Sequence, residues 1–385
     1  MSDAPTIVQN SRCPICNGNA MALCLPHPRQ SIASDGRVIS HELRKLSCVV
    51  CGTAFHASAV PPETVQAIYD KGYSLARVAQ KSDTARARDY AQWIQTVCTA
   101  PRSILEVGCG SGALLKELSA FWPDAVCFGV DPALSSAERS APRLRLERGF
   151  VEDVPNDIAG FDLIVAVNVI EHTLNPGAFL ASLSSRLGLD GKIVIVCPAA
   201  EPPNSELLFF DHLYSLTATA LRLSVVRTPL VTRKTAPAPT AIGDFQMVVF
   251  DTADQASDLT RAGDSFLELG SKRLAYLKSW GELDQNLLGR ARSAPRLVAF
   301  GGGQTAALLR AYAPDTWARI ELIVLDDEDE AWTLGIPVAS YQDCVRSLAG
   351  ARILIAASPR VQGAIADRLR RDGLQPIRWD DLITN

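Results

Sequence analysis

The chain has 385 residues, long enough for two or three domains of ordinary size, which excludes a single small stapled module. Hydrophobic residues make up 47% and charged residues 21%, enough apolar surface to close packed cores and too little charge for extensive disorder. Lys and Arg total 38 against 42 Asp and Glu, a net charge of -4, and no basic stretch carries the electrostatic footprint of a nucleic-acid binder, so no nucleic-acid partner is expected.

From the N-terminus, the first twenty residues hold polar groups and two cysteines instead of a basic end followed by an apolar core. No secretory signal is expected, and the chain is expected to stay in the cytoplasm. Four of the ten cysteines fall in two pairs, Cys13-Pro14-Ile15-Cys16 and Cys48-Val49-Val50-Cys51. Each CxxC turn puts two sulfurs on one edge of a knuckle, and two knuckles supply the four thiolates of a closed tetrahedral Zn²⁺ site, which is structural because no position is left for water. Gly18 and Gly52 follow the two pairs, and Asp35-Gly36 between them is a hairpin candidate. A pair of unrelated buried or redox dithiols is the competing reading. His41 and His56 lie nearby and are left out of the site.

Residues 61–100 read as helical, opened by Pro61-Pro62 and stopped by Pro101. Then come strand Ser103–Val107, a glycine-rich turn, helix Ala113–Ala120, strands Val126–Val130 and Phe161–Val167, helix Pro176–Leu187 and strand Lys192–Val196. Such alternation predicts a parallel sheet covered by helices on both faces. The longest apolar runs, such as Leu163–Val167 and Ile193–Cys197, are strand-length and far short of a membrane span, so no membrane partner is expected.

Thr228–Thr240 is rich in proline and threonine without periodicity and reads as a linker or mobile loop. A long amphipathic helix from about Asp254 to Ala291 follows, then a second alternation: strand Arg296–Phe300, turn Gly301-Gly302-Gly303, helix Thr305–Tyr312, strand Ile320–Leu325, strand Ala351–Ala356 and helix Val361–Arg371. The expected domains are therefore a zinc-binding module over 1–60, a core with a helical lead-in over 61–227, a linker over 228–253 and a smaller C-terminal α/β domain over 254–385. The triple glycine reads as structural or acceptor-closing, and Asp326–Glu330 as a solvated loop.

The chemistry concentrates at Glu106-Val107-Gly108-Cys109-Gly110-Ser111-Gly112, where the first core strand ends. Glycines there let the backbone approach a ligand closely. A carboxylate ahead of them receives the ammonium of an amino-acid-bearing cofactor and repels a pyrophosphate, which points away from NAD. Asp131 ends the next strand, 21 residues past Gly110, where a carboxylate accepts ribose hydroxyls. Phe150-Val151-Glu152-Asp153 follows, and then Phe161-Asp162-Leu163-Ile164-Val165-Ala166-Val167-Asn168-Val169-Ile170-Glu171-His172 runs through a buried strand into a polar tip.

Together these segments resemble the class I S-adenosylmethionine-dependent methyltransferases over roughly Ser103–Cys197. The resemblance implies a Rossmann-like core and cofactor contacts from Glu106, Gly108, Cys109, Gly110, Asp131, Pro132, Val151, Glu152, Val167 and Asn168, with Cys109 contributing packing. The wider layout, a four-cysteine module, this core and a C-terminal α/β domain, is similar to that of bacterial sugar C-methyltransferases. That similarity implies a small-molecule acceptor of the class of a nucleotide-linked deoxy-keto sugar, surrounded by Tyr73, His172 and the Asp211-His212 pair. A histidine would take the α-proton and Tyr73 would hold the enolate. Here the family's Glu-His is Asp211-His212, and its serine-rich tract after the tyrosine is reduced to Ser74 and Ser82. Two alternatives stay open: an O- or N-methyltransferase of a glycan or secondary metabolite, and a non-catalytic zinc-containing binding protein with a vestigial cofactor fold.

Overall fold

A computed structural model describes residues 7–70, 80–134, 138–155, 158–252, 265–292, 294–327 and 334–384. The front of the chain forms an antiparallel sheet of β1 (Ile7–Arg12), β2 (Asn19–Ala22), β5 (Lys45–Cys48) and β6 (Ala54–His56), with the small hairpin β3 (Ser31–Ile32) and β4 (Val38–Ile39) beside it. The β3–β4 turn contains Asp35-Gly36, Gly36 taking a positive φ of 86° as the hairpin expectation requires. Helices α1 (Pro62–Asp70) and α2 (Gln80–Ile94) lead into the core.

The core is an eight-stranded sheet. Its elements are β7 (Ser103–Val107), α3 (Ala113–Phe121), β8 (Val126–Asp131), β9 (Glu138–Ala141), β10 (Leu144–Arg148), β11 (Phe161–Val167), α4 (Pro176–Ser184), β12 (Leu187–Pro198), α5 (Ala218–Ser224), β14 (Leu230–Pro237) and β15 (Phe245–Thr252). The strand order is β14-β15-β12-β11-β7-β8-β10-β9. Strands β10, β8, β7, β11 and β12 run parallel, while β15 runs against β12 and β14 against β15. From β7 the chain builds outward to β8 and β10, then returns to lay down β11 and β12 on the other side. The reversal lies between β7 and β11, and a doubly wound sheet opens its crevice at the carboxyl ends of such a pair. Ile104, Leu163, Val165 and Val194 pack one sheet face, and Leu105, Ile164, Ile193 and Ile195 the other, all fully buried.

Three segments depart from the sequence expectation; one, Phe245–Thr252, expected within the 228–253 linker, is strand β15 beside β12. Thr228–Thr240 is not a linker or loop over most of its length, because Leu230–Pro237 pairs with β15 from Leu230 opposite Thr252 to Pro237 opposite Gln246. It is the outermost strand, where a missing amide donor, a half-buried Thr232 and an exposed Thr235 are tolerated, so it lacks the pattern of an inner strand. Leu144–Arg148, not assigned from the sequence, is the third parallel strand of the first half; Leu144 and Leu146 point inward and Arg145 outward.

Between the core strands the chain makes the two-residue strand β13 (Tyr214–Ser215), which does not join the core. It pairs with β6 and completes the front sheet. Helix α6 (Leu267–Ala291) crosses from this sheet to a third one; the expected start of that helix near Asp254 lies outside the described residues. Buried Trp280 of α6 meets the rings of Tyr276, Tyr312 and Trp379.

The third sheet has five parallel strands in the order β18-β17-β16-β19-β20. They are β16 (Leu297–Phe300), β17 (Ile320–Leu325), β18 (Val338–Ser340), β19 (Arg352–Ile355) and β20 (Gln375–Arg378), with α7 (Gln304–Tyr312), α8 (Pro314–Trp317), α9 (Tyr341–Cys344) and α10 (Pro359–Arg371) between them. Gly301 follows β16 at φ 105°, and a Cβ there would stand 2.7 Å from the Ala356 carbonyl oxygen, which gives this glycine a packing reason, whereas a Cβ at Gly303 would meet nothing within 4 Å. Asp326 and Asp327 are exposed; the rest of the acidic run lies outside the described residues.

Candidate functional site

A cleft of about 1310 Å³ opens at the carboxyl ends of β7 and β11. Its floor is the turn after β7. The Gly108 and Cys109 amides donate to the Val130 carbonyl at 2.8 and 3.1 Å, folding the turn over the end of β8. Gly108 has φ 75° and a Cβ there would lie 2.4 Å from Val169 Cγ2, so this glycine is required by both backbone and packing. At Gly110, φ 50°, a Cβ would meet nothing within 4 Å, leaving room for a ligand to lie against the backbone.

Asp131, at the tip of β8, is nearly buried and holds the turn: Oδ2 accepts from the Gly110 amide at 2.8 Å and Oδ1 from the Ala133 amide at 2.7 Å. Each carboxylate oxygen retains a further lone pair for a ribose hydroxyl. Glu106 is buried at 3% exposure beneath the turn. The Cys109 thiol is driven up by burial, then by the charges of Glu106 and Asp131, so it stays protonated and packs. Asn168, at φ 56° just past β11, buries a side-chain oxygen with no hydrogen-bond partner among the described residues. An orphaned acceptor, an acidic floor and an open glycine cradle fit an amino-acid-bearing nucleoside such as S-adenosylmethionine. The remaining expected contacts, Pro132, Val151, Glu152 and Val167, also line this cleft.

Beyond the cofactor end, the cleft reaches a buried polar cluster. His172 and His212 meet edge to face with ring centroids 4.8 Å apart. His172 Nδ1 lies 2.9 Å from the Asp211 carbonyl oxygen, and His212 Nδ1 lies 3.5 Å from Glu206 Oε2. The Asp211 carboxylate accepts from the Ser34 amide at 2.8 Å and the Ser34 hydroxyl at 2.6 Å, and its Oδ2 lies 3.7 Å from His172 Nδ1. Glu206, on a short 3₁₀ turn capped by Asn204, takes its place beside His212 and accepts from the Ser215 hydroxyl. Sequence reasoning missed Glu206, whose six-residue separation from His212 follows no regular period. Tyr73 lies outside the described residues.

Burial controls the charges here. It lowers His172 to about 4, with His212 adding to the effect, and raises Glu171 to about 7. Glu206 is raised by burial but more than compensated by His212, Lys45 and Ser215, so it lies below the ordinary carboxylate range. Lys45, buried and brought down to about 8 by desolvation, donates to the His212 carbonyl at 3.0 Å. Arg273 of α6, with no exposed surface, donates to the Gly52 carbonyl at 2.5 Å and the Ser47 hydroxyl at 3.0 Å. The front sheet therefore supports the loop that carries His212.

In that sheet the four cysteine sulfurs converge. Cys13 and Cys51 Sγ are 3.6 Å apart and Cys16 and Cys48 Sγ 3.5 Å, close to the ~3.8 Å edge of a tetrahedron with Zn–S bonds of about 2.3 Å. The Val50 and Cys51 amides both point at Cys48 Sγ from 3.4 Å, the knuckle geometry that holds a thiolate. His56 Nε2 instead reaches the Phe210 carbonyl at 2.8 Å, and His41 stacks on the Phe210 ring, so neither belongs to the sulfur cluster.

Residues 81–224 match the family model described as "Methyltransferase domain". The match covers less than half of the chain, and the strand order above is that of a Rossmann-like α/β sheet, so the middle of the chain is similar to a methyltransferase domain. Among curated relatives, a ubiquinone biosynthesis O-methyltransferase of Azorhizobium caulinodans is 30% identical over 99 residues, 24% of this chain and 38% of that protein. A malonyl-[acyl-carrier protein] O-methyltransferase of Legionella pneumophila is 26% identical over 125 residues, 31% of this chain and 43% of that protein. The chain thus spans less than half the length of these relatives. The solved structure of the 1,6-didemethyltoxoflavin-N1-methyltransferase of Burkholderia thailandensis superposes with a TM-score of 0.39 at 16% identity, covering 52% of this chain and 96% of that one. No described helix is long and apolar enough to cross a membrane.

Proposed function

We propose that the chain is an S-adenosylmethionine-dependent methyltransferase acting on a small-molecule acceptor. The observation that carries the reading is the cleft at the sheet's reversal point, where Glu106, the glycine turn, Asp131 and the orphaned Asn168 oxygen surround one end and the two histidines the other. When bound, S-adenosylmethionine supplies an electrophilic methyl group on a sulfonium. Glu106 and Asn168 would receive the ammonium and Asp131 the ribose hydroxyls. Val151 and Glu152 would flank the adenine, with Gly108, Cys109, Gly110, Pro132 and Val167 shaping the walls. Displacement at the methyl group consumes the sulfonium charge, so these residues need chiefly to align the donor with an unprotonated acceptor.

Activation of the acceptor falls to His172 and His212, with Tyr73 in the enolate-holding role. The finer reading is C-methylation of a nucleotide-linked deoxy-keto sugar, in which a histidine removes the proton next to the carbonyl. What supports it is the buried histidine pair together with the three-part layout of the chain. A second reading, transfer to a hydroxyl oxygen, is favoured by the O-methyltransferases among the curated relatives. In both, the four cysteines hold a structural Zn²⁺ in an N-terminal ribbon, and the C-terminal α/β domain closes the acceptor end, where Gln304 at the start of α7 lines the cleft. Calorimetry with S-adenosylhomocysteine tests the cofactor assignment. A screen of keto-sugar nucleotides and phenols, with the new methyl located by NMR, tests the acceptor; an absence of nucleoside binding would refute the whole reading.

A further inference from the structure

We infer that Glu171, His172 and His212 form a site for one divalent metal cation, with its open coordination positions facing the acceptor end of the cleft. One ligand atom from each residue lies within 4.8 Å of the other two. Glu171 and His172 sit on the 3₁₀ turn Ile170–His172 beyond β11, and His212 comes from the loop anchored to the front sheet, so the three converge from two separate elements.

The carboxylate of Glu171 is the first argument. It is 2% exposed, and neither of its oxygens has a hydrogen-bond partner among the described residues. A buried carboxylate left unpaired is costly as an anion, so it either holds a proton or takes a cation as its partner. Lys45 and Arg273, both buried, are engaged elsewhere, Lys45 on the His212 carbonyl and Arg273 on Gly52 and Ser47.

The histidines supply the second argument. Each presents Nδ1 to an acceptor behind it, the Asp211 carbonyl for His172 and the Glu206 carboxylate for His212. A proton on Nδ1 satisfies both contacts and leaves the Nε2 lone pair of each ring for a ligand's task. Metal-binding histidines are oriented in this way by their outer acceptors. Two imidazoles and one carboxylate suit first-row divalent ions and leave positions for acceptor oxygens, unlike the closed set of four sulfurs in the front sheet.

The inference relies on the proposed methyltransferase reading only for what fills the rest of the cleft. A cation here would lower the proton affinity of a coordinated acceptor oxygen, in place of a histidine accepting the proton itself.

The test is Mn²⁺ titration of the full, zinc-replete chain followed by electron paramagnetic resonance, with S-adenosylhomocysteine calorimetry in parallel. One bound Mn²⁺ per chain is expected, its dissociation constant raised at least tenfold in both Glu171→Gln and His212→Asn while each variant still binds S-adenosylhomocysteine. No bound Mn²⁺, Co²⁺ or Ni²⁺ at millimolar concentration, or binding equal in wild type and both variants, would overturn the inference. If the nucleoside binds and the cation does not, the histidines remain bases and only this inference falls. If the nucleoside also fails to bind, the cofactor reading falls with it.

Discussion

The Nδ1 atom of His212 faces the Glu206 carboxylate from 3.5 Å, while the carboxylate of its chain neighbour Asp211 binds Ser34 and lies 3.7 Å from Nδ1 of the other histidine, His172. The acid that orients this histidine is therefore supplied by a turn six residues upstream, and the adjacent acid ties the front of the chain to the His172 side of the cleft. We expect Asp211→Asn to weaken docking of the 31–39 hairpin, read as faster amide hydrogen exchange there. Glu206→Gln should leave that exchange unchanged and alter the ¹⁵N tautomer signature of His212.

Asp131→Ala removes the acceptor of the Gly110 and Ala133 amides as well as the expected ribose contact. Hydrogen bonds to a carboxylate contribute about 1.5–3 kcal/mol each. S-adenosylhomocysteine affinity should drop by at least tenfold, with a lowered unfolding temperature; calorimetry and thermal unfolding measure the two effects separately, and unchanged affinity would remove Asp131 from the site.

Gly108 and Gly110 should respond differently to alanine. Gly108→Ala places a methyl 2.4 Å from Val169 Cγ2 at a left-handed φ, so a loss of about 2–4 kcal/mol of stability is expected from clash and backbone strain together. Gly110→Ala meets no protein atom and should cost only about 1–2 kcal/mol of backbone strain, its main effect being weaker nucleoside binding. Denaturant midpoints and calorimetry on the two variants distinguish these outcomes.

His56 gives a pH dependence whose sign is fixed. Burial lowers its pKa from 6.5 to about 3, and its ring is held against the Phe210 carbonyl. Between those values the unfolded chain takes up a proton that the folded chain refuses, so stability falls as pH drops below 6.5. From pH 6.5 to 5 the contribution is about 1.6 kcal/mol, the slope approaching 1.36 kcal/mol per pH unit only well below 6.5. His56→Gln should show a shallower loss of urea midpoint across this range; an equal slope would refute the assignment.

Cys48→Ser or strong chelation should release one zinc per chain and loosen the front sheet. Because Lys45 and Ser34 of that region hold the His212 and Asp211 backbone and side chain, the disturbance should extend to the loop around 204–217. Metal analysis checks the first part, and hydrogen exchange in that loop the second.

The glycine-turn end of the cleft was legible because it is local. Glu106 and the glycines occupy one turn, and Asp131 ends the adjacent strand. The acceptor end was not, because its contacts are assembled by tertiary folding: Ser34 and Asp211 are 177 positions apart. Leu144–Arg148 did carry a readable signal, inward leucines alternating with outward charge, whereas Leu230–Pro237 carried the composition of a loop because only one of its edges is paired.

Tyr214–Ser215 closes the front sheet with a strand made after most of the core has been laid down. The cysteine-bearing segment is thus not a detachable cassette. An exchange between relatives that moved the first sixty residues alone would leave an open sheet edge, and would separate the histidine loop from the partner against which it is cast.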